Sequence, residues 1–289
     1  MRYEGNVFRP PSEAYSLIIQ ATIGCAHNKC TFCSMYKTEK FRVRELSEIV
    51  EDLTMARAHY GKIKRIFLAD GDALCLSFDK LENILTEIQR IFPECERVGI
   101  YATPKDILRK STEELRELKA LGLGILYMGL ETGSDEILQE INKGITAEEA
   151  IIAGRKGAES GLQVSVTVIS GLGGRAKWQE HAIKTGQVLS EMDPHYIGLL
   201  TLMLVDGTEM KRKVDQGEME LLTPEEIMRE TKLMLENTNV TNCLFRSNHA
   251  SNYVTLKGTL PQDKEHLIKG IDSILQGGYH YRPEIFRGL

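Results

Sequence analysis

Short apolar runs alternate along the chain with longer segments in which apolar residues recur every three or four positions. The runs predict six buried strands, at residues 16–23, 65–69, 97–102, 125–130, 163–169 and 196–204. The segments between them carry the period of amphipathic helices, with one apolar stripe at Leu46, Ile49, Val50 and Leu53 and another at Leu81, Ile84, Leu85 and Ile88. Strands that alternate with helices in this way favour a parallel sheet with helical crossovers.

Capping boxes mark the starts of three predicted helices, because a hydroxyl and a carboxylate three residues apart satisfy the first free amides of a helix. The pairs are Ser111 with Glu114, Thr146 with Glu149 and Thr223 with Glu226. Six strand–helix repeats fall short of the eight of a closed barrel. The sequence therefore predicts an α/β fold, a partial, laterally open (β/α)6 barrel of the TIM type with a short C-terminal extension.

The predicted organisation has three parts. Residues 1–15 form an N-terminal segment, residues 16–210 form the partial-barrel core, and residues 211–289 supply helices that close the barrel. A short extra strand is expected in this last part, at residues 243–247.

Composition narrows the class of protein. Of the 289 residues, 42% are hydrophobic and 27% are charged, which is typical of a globular protein with a sizeable core. A net charge of −5 argues against nucleic acid or an anionic membrane as the main partner. No apolar stretch is long enough to span a membrane, and the polar residues 1–6 do not read as a secretory leader. We expect a cytoplasmic protein.

Three cysteines follow the first predicted strand in a Cys-x4-Cys-x2-Cys pattern: Cys25, Cys30 and Cys33. Three thiolates on one loop can hold three irons of a [4Fe–4S] cluster and leave the fourth iron open. A structural zinc site or an electron-transfer cluster normally has four protein ligands. Only His27, inside the same loop, offers a fourth, so these two alternatives stay open. A disulfide framework is not expected in a chain of this length with so few cysteines.

Further chemistry-bearing residues follow other predicted strands, where a parallel α/β barrel binds its ligands. Gly71 and Asp72 follow the second strand, where bare backbone and a carboxylate suit an ammonium group. Glu131 ends the fourth strand and suits the hydroxyls of a ribose. Gly171 follows the fifth strand, in a turn against which an adenosine or a carboxylate can pack. Each also has a structural interpretation, as a turn glycine or as an acid at a helix start.

These motifs resemble the radical S-adenosylmethionine (SAM) superfamily, in the branch shared by elongator-type, methylthiotransferase and anaerobic coproporphyrinogen-oxidase-like proteins. The likeness covers residues 16–210 and rests on four segments, namely Cys30-Thr31-Phe32-Cys33, Gly71-Asp72, residues 129–138 with Asn142-Lys143-Gly144, and Gly207-Thr208. The commonest cluster loop of the family has three residues between its first two cysteines, whereas this chain has four. The Pro-Gly-Thr turn of the family also lacks its proline here.

The resemblance implies a [4Fe–4S] cluster bound by Cys25, Cys30 and Cys33, with the amino and carboxylate groups of SAM on the open iron. Reductive cleavage of SAM would give a 5′-deoxyadenosyl radical that abstracts hydrogen from the substrate. A flavodoxin- or ferredoxin-type protein would supply the electron.

The resemblance also assigns the cofactor-binding residues. Phe32 would pack near the adenine, Gly71 and Asp72 near the methionyl ammonium, and Glu131 near the ribose. Gly171 completes the set of expected cofactor-binding positions.

Three hypotheses follow. The first is a radical SAM enzyme acting on a small-molecule or peptide substrate, the second is porphyrin or haem chemistry, and the third is a non-catalytic iron–sulfur carrier or scaffold. Cys75, Cys95 and Cys243 are scattered, which argues against a second cluster. Cys75 is interpreted either as a buried residue or as a hydrogen donor to a radical. The polar residues 246–253 read as a substrate-binding segment or as a self-satisfied loop.

Overall fold

Strands and helices alternate along the chain, as the hydrophobic pattern predicts, in a computed structural model that describes residues 2–288. The strands are β1 Leu17–Gln20, β2 Thr22–Ile23, β3 Arg42–Val43, β4 Arg65–Ala69, β5 Arg97–Ala102, β6 Leu123–Glu131, β7 Gln163–Ser170, β8 Tyr196–Thr201, β9 Cys243–Arg246 and β10 Lys257–Leu260. The helices are α1 Leu46–His59, α2 Phe78–Ile91, α3 Pro104–Arg109, α4 Thr112–Ala120, α5 Asp135–Glu140, α6 Ala147–Glu159, α7 Gly174–Met192, α8 Glu209–Asp215, α9 Pro224–Glu236 and α10 Lys264–Leu275. Three short 3-10 helices lie at Pro11–Glu13, Ala73–Cys75 and Glu284–Phe286.

All six predicted strands are present, and the first is divided at Ala21 into β1 and β2. The expected extra strand is β9. The three predicted capping boxes form, with reciprocal bonds between Ser111 and Glu114, between Thr146 and Glu149, and between Thr223 and Glu226. No helix within residues 2–288 is long and apolar enough to cross a membrane.

The described chain divides into two units that are discontinuous in sequence. The first contains residues 2–28, Cys33–Met128 and Lys156–Val164, and the second contains Lys29–Phe32, Gly129–Arg155 and residues 165–288. The predicted boundaries at residues 15 and 210 stay a prediction.

Parallel pairing dominates the first unit, where β1, β4, β5 and β6 follow one another in that order. Aromatic rings fill part of its core. The ring of Phe67 makes edge-on contacts with Tyr101 and Tyr127, at centroid distances of 4.9 and 5.7 Å. Such contacts add to the stabilisation from apolar burial.

In the second unit the strand order is β7, β8, β9 and β10, and only the β9–β10 pair is antiparallel. Helices α7 and α9 pack closely on each other. Gly186 of α7 lies at this contact. Only glycine fits there, because a β-carbon would stand 2.7 Å from the carbonyl oxygen of Met234 on α9. Within residues 2–288, neither unit closes its strands into a ring, as expected for an open α/β arrangement.

This close helix contact predicts that Gly186→Ala destabilises the protein. The added methyl group would press on backbone atoms of α9, and overpacking of this kind costs about 1–3 kcal/mol. The matched control is Gly270→Ala on α10, where a β-carbon meets nothing within 4 Å. That variant should gain roughly 0.5–1 kcal/mol from a better helix former. Urea unfolding followed by circular dichroism measures both, and equal stability of the two variants would contradict the packing argument.

Candidate active site

The cysteine loop has no regular secondary structure between Cys25 and Cys33. Cys25 and Cys33 belong to the first unit and Cys30 to the second, and all three are partly exposed thiols without disulfide bonds. The backbone N–H of Asn28 donates to Cys25 Sγ at 3.4 Å. Hydrogen bonds to sulfur are a means by which proteins tune thiolate ligands of iron–sulfur clusters.

Asp70 anchors the start of this loop. It directly follows β4, and its Oδ2 atom accepts hydrogen bonds from the N–H of Gly24 at 3.0 Å and from Gln20 Nε2 at 3.1 Å. Burial raises the pKa of Asp70 to about 6, although these two hydrogen bonds act in the opposite direction. Its Oδ1 atom is buried without a hydrogen-bond partner. The sequence analysis did not predict this anchor.

Gly71 lies against the first cysteine. A β-carbon at this position would stand 2.8 Å from Cys25 Cβ and 2.7 Å from the ring of Tyr36, so only glycine fits. Tyr36 itself is buried, and its hydroxyl has no hydrogen-bond partner. Burial raises the pKa of Tyr36, and the neighbouring Asp70, Cys25 and Cys33 raise it further.

Asp72 is buried at the start of the short helix Ala73–Cys75. The Nζ atom of Lys110 donates to two carbonyl oxygens of this turn at 2.8 Å, which fixes its conformation. Burial, followed by the nearby carboxylate of Asp72, raises the pKa of Cys75 to about 12. Cys75 is therefore a protonated thiol at neutral pH.

In the second unit the residue after Cys30 is held on both sides. The N–H of Thr31 donates to the carbonyl of Ile141 at 3.0 Å, and its carbonyl accepts from the N–H of Met210 at 3.1 Å. Phe32 packs against an apolar cluster of Ile137, Ile141, Leu172, Leu202 and Met210. Met210, in the first turn of α8 directly after Gly207-Thr208, thus supports the loop backbone at Thr31.

Glu131 has the features of a ligand-binding carboxylate. It adopts the left-handed conformation (φ 67°), which is rare for a residue other than glycine and concentrates at functional sites. Lys143 Nζ lies 2.6 Å from Glu131 Oε1, and the other oxygen, Oε2, is buried without a hydrogen-bond partner. Gly129 permits this arrangement, because a β-carbon there would stand 2.3 Å from Oε1.

Gly171 adopts φ +89°, and its N–H donates to Glu230 Oε1 at 2.8 Å. The amide of this glycine is thus committed to the protein. Glu230 lies on α9 and is fully buried, and burial raises its pKa to about 8 despite opposing bonds from Gly171 and Ser170.

A second buried titratable group, His181 on α7, connects this carboxyl to the end of β6. His181 Nε2 lies 3.8 Å from Glu230 Oε1, and His181 Nδ1 lies 2.8 Å from Thr132 Oγ1. Burial lowers the pKa of His181 to about 4. Burial therefore favours the neutral form of both groups. They lie between the turns that follow β6 and β7, and no local pattern in the sequence predicts this long-range arrangement.

A cavity of about 230 Å³ lies beside Gly171 in the second unit. Apolar side chains line much of it, and Tyr253, Glu284 and Arg287 supply polar groups. Of the polar segment 246–253, only Tyr253 lines this cavity, whereas Ser247, Ser251 and Asn252 bond to the protein backbone or to Thr201.

Comparison with known proteins identifies the family of this chain. The family model described as the radical SAM superfamily matches residues 19–185, more than half of the chain. The chain belongs to the radical SAM superfamily. The resemblance predicted from the motifs is thereby confirmed.

This radical SAM protein is similar to the heme chaperone HemW of Bacillus subtilis (strain 168), with 25% identity over 173 residues. The match covers 58% of this chain and 44% of the relative, and the chain spans less than half the length of the curated relatives it matches.

Two solved structures show the fold. The coproporphyrinogen III oxidase HemN of Escherichia coli gives a TM-score of 0.56 at 17% identity, over 76% of this chain and 52% of that one. The methyltransferase TsrM of Kitasatospora setae, with cobalamin and a [4Fe–4S] cluster bound, gives a TM-score of 0.57 at 22% identity. The match covers 70% of this chain and 39% of that one. The predicted partial barrel is confirmed by these likenesses and by the open parallel strands.

Membership makes this radical SAM protein an enzyme whose cofactors are a [4Fe–4S] cluster and SAM. The residues present fit these groups. The thiols are reduced, and Asp70 Oδ1 and Glu131 Oε2 are buried acceptors without a partner. Within residues 2–288, however, no three His, Cys, Asp or Glu side chains already form a metal-binding group, so the ligand assignment depends on the cysteine spacing.

The buried carboxyl of Glu230 predicts a pH-dependent stability. Because its folded pKa of about 8 exceeds the usual 4.5, its contribution is complete below pH 4.5 and is lost as the pH rises towards 8. Glu230→Gln carries no titrating group, and His181 is common to both proteins. From pH 5 to pH 8.5 the melting temperature of the variant should therefore rise relative to wild type by roughly 3 °C or more.

Thermal melts across this pH range measure the difference. The control is Glu225→Gln, an exposed glutamate on the same helix. If the melting temperatures of both variants change with pH as that of wild type does, Glu230 is not buried in its acid form.

Proposed function

We propose that Cys25, Cys30 and Cys33 bind a [4Fe–4S] cluster whose open iron takes SAM, and that the enzyme abstracts hydrogen from a small-molecule or peptide substrate. The Cys-x4-Cys-x2-Cys loop that follows β2, in a chain of this superfamily, carries the proposal. When bound, the cluster and SAM supply a 5′-deoxyadenosyl radical.

The remaining residues would hold SAM. Glu131 Oε2 would accept from the ribose hydroxyls, while Lys143 Nζ, 2.6 Å from Oε1, holds the other oxygen in place. Gly71 brings backbone close to the first cysteine, and Asp72 would accept from the methionyl ammonium. Phe32 would lie beside the adenine, at the edge of its apolar cluster, and the turn at Gly171 would border the adenosine.

The electron donor is proposed to be a flavodoxin- or ferredoxin-type protein, since one electron is needed for each cleavage. Reduced thiols and an oxygen-sensitive cluster favour the cytoplasm. The net charge of −5 argues against nucleic acid as substrate and against an anionic membrane as partner.

Porphyrin or haem chemistry is the second candidate. It is favoured by the similarity to the heme chaperone HemW and to the HemN fold. Titration of the purified protein with haem, followed by absorbance, tests it. A stoichiometric complex with haem would favour this hypothesis over that of a small-molecule or peptide substrate.

Replacement of a proposed ligand should abolish both the cluster and its chemistry. Wild-type protein reconstituted without oxygen should hold about four irons per chain and form 5′-deoxyadenosine with dithionite and SAM. Cys30→Ala should lose most of the iron and all of the product. The matched control is Cys95→Ala, a half-buried thiol that bonds the carbonyl of Arg97 at 3.6 Å and is not a proposed ligand.

The outcomes separate radical SAM chemistry from the carrier or scaffold hypothesis. Full iron content without 5′-deoxyadenosine, in wild type, would support the carrier or scaffold. Full iron content in Cys30→Ala would remove that residue from the ligand set.

The assignment of Glu131 predicts a loss of SAM affinity. A hydrogen bond to a charged group contributes about 1.5–3 kcal/mol, so Glu131→Gln should bind SAM roughly tenfold more weakly, at unchanged iron content. Equilibrium dialysis of the reconstituted protein measures this affinity. Glu148→Gln, on the exposed face of α6, removes the same charge and should bind as wild type does. Equal affinities in both variants would rule out the ribose contact.

A further inference from the structure

We propose that the cavity beside Gly171 is a subsite for a substrate carboxylate, which Tyr253 and Arg287 would bind in place of Glu284. The inference rests on the proposed function, because it names the class of substrate for that enzyme: an acid with a small apolar body. In the absence of substrate, the carboxylate of Glu284 then occupies the position of the substrate carboxylate.

The cavity lies where a substrate is needed. Gly171 directly follows β7 and Thr201 is the last residue of β8, and both line it. Ligands of parallel α/β barrels bind at these carboxyl ends of the strands. A volume of about 230 Å³ is below that of typical drug-sized pockets, so it suits a group of amino-acid size. Leu202, Leu204 and Ile227 give it an apolar wall.

The guanidinium of Arg287 is preorganised in the cavity wall. Its side chain is only 5% exposed. Nε donates to the carbonyl of Ser251 at 2.6 Å and Nη2 to the carbonyl of Leu202 at 3.0 Å, while the group stacks 4.0 Å above the ring of Tyr253. These contacts hold the guanidinium in place without help from Glu284.

The remaining donor, Nη1, is shared between a carboxylate and the hydroxyl of Tyr253, which accepts from Nη1 at 2.7 Å. Glu284 Oε1 and Oε2 lie 2.9 and 2.7 Å from Arg287 Nη1, and the hydroxyl of Tyr253 also donates to Oε1. Burial and this bond raise the pKa of Tyr253 to about 12, so its hydroxyl stays a donor at neutral pH. A guanidinium and a phenol thus converge on one carboxylate at the cavity.

Glu284 is suited to leave this position. Its side chain is 69% exposed, and it lies on the short three-residue helix Glu284–Phe286. An exposed ion pair contributes little to stability, whereas a buried guanidinium without any counter-ion is costly. Exchange of one carboxylate for another therefore preserves the charge balance of the site. A single cation also matches the single negative charge of a carboxylate.

Calorimetry with a model acid tests the proposal on the 289-residue chain before cluster reconstitution. The probes are 4-methylpentanoate and its neutral amide, 4-methylpentanamide. Glu284→Gln removes the charge of the internal competitor, so it should bind the acid roughly tenfold more tightly than wild type. Tyr253→Phe should bind the acid several-fold more weakly than wild type. The neutral amide should bind each of these proteins more weakly than the acid does.

Glu265→Gln, an exposed glutamate on α10, is the charge-matched control and should leave the affinity unchanged. Thermal melts establish that each variant is folded. Equal affinity of Glu284→Gln and wild type, equal binding of acid and amide, or no binding of the acid by any variant would overturn the proposal. Because these titrations need neither cluster nor SAM, their result is independent of whether 5′-deoxyadenosine forms.

Discussion

Three buried carboxyl groups make the key contacts near strand ends, each within its own unit: Asp70 in the first unit, and Glu131 and Glu230 in the second. Asp70 holds the N–H of Gly24 at the start of the cysteine loop, Glu131 holds Lys143, and Glu230 holds the N–H of Gly171. In each of them the second oxygen is buried without a hydrogen-bond partner. Removing a carboxyl oxygen from water without replacing its hydrogen bonds is unfavourable. These three buried oxygens therefore lower the stability of the folded protein, which is typical of residues kept for function.

The sequence predicted the repeated elements well because burial imposes a period on them. The alternation of apolar runs and amphipathic stripes was enough for the six strands and their crossovers. It was not enough for β3, β10, α3, α5 and α8, which have between two and seven residues and are too short to show a period. These elements depend on contacts with distant parts of the chain, as the antiparallel pairing of Gly258 with Phe245 illustrates.

The same distinction applies to the site. Gly71, Asp72, Glu131 and Gly171 were predicted from their places after strands, a purely local property. The residues that support them were missed, because each acts at a long sequence distance. Glu230 reaches the turn at Gly171 across 59 positions, and His181 reaches Thr132 across 49. An isolated acid or histidine on a helix carries no local signal of such a link.

The superfamily fixes the cofactors, and the chain's own residues must determine the substrate. The proposed chemistry requires that three cysteines leave one iron open for SAM. Electron paramagnetic resonance of the reconstituted, dithionite-reduced protein tests this requirement, before and after addition of SAM labelled with ¹⁵N in its amino group. If SAM binds the open iron, the cluster signal should change and show a hyperfine coupling to ¹⁵N. A [4Fe–4S] signal that SAM leaves unaltered, without that coupling, would rule out an open iron that binds SAM.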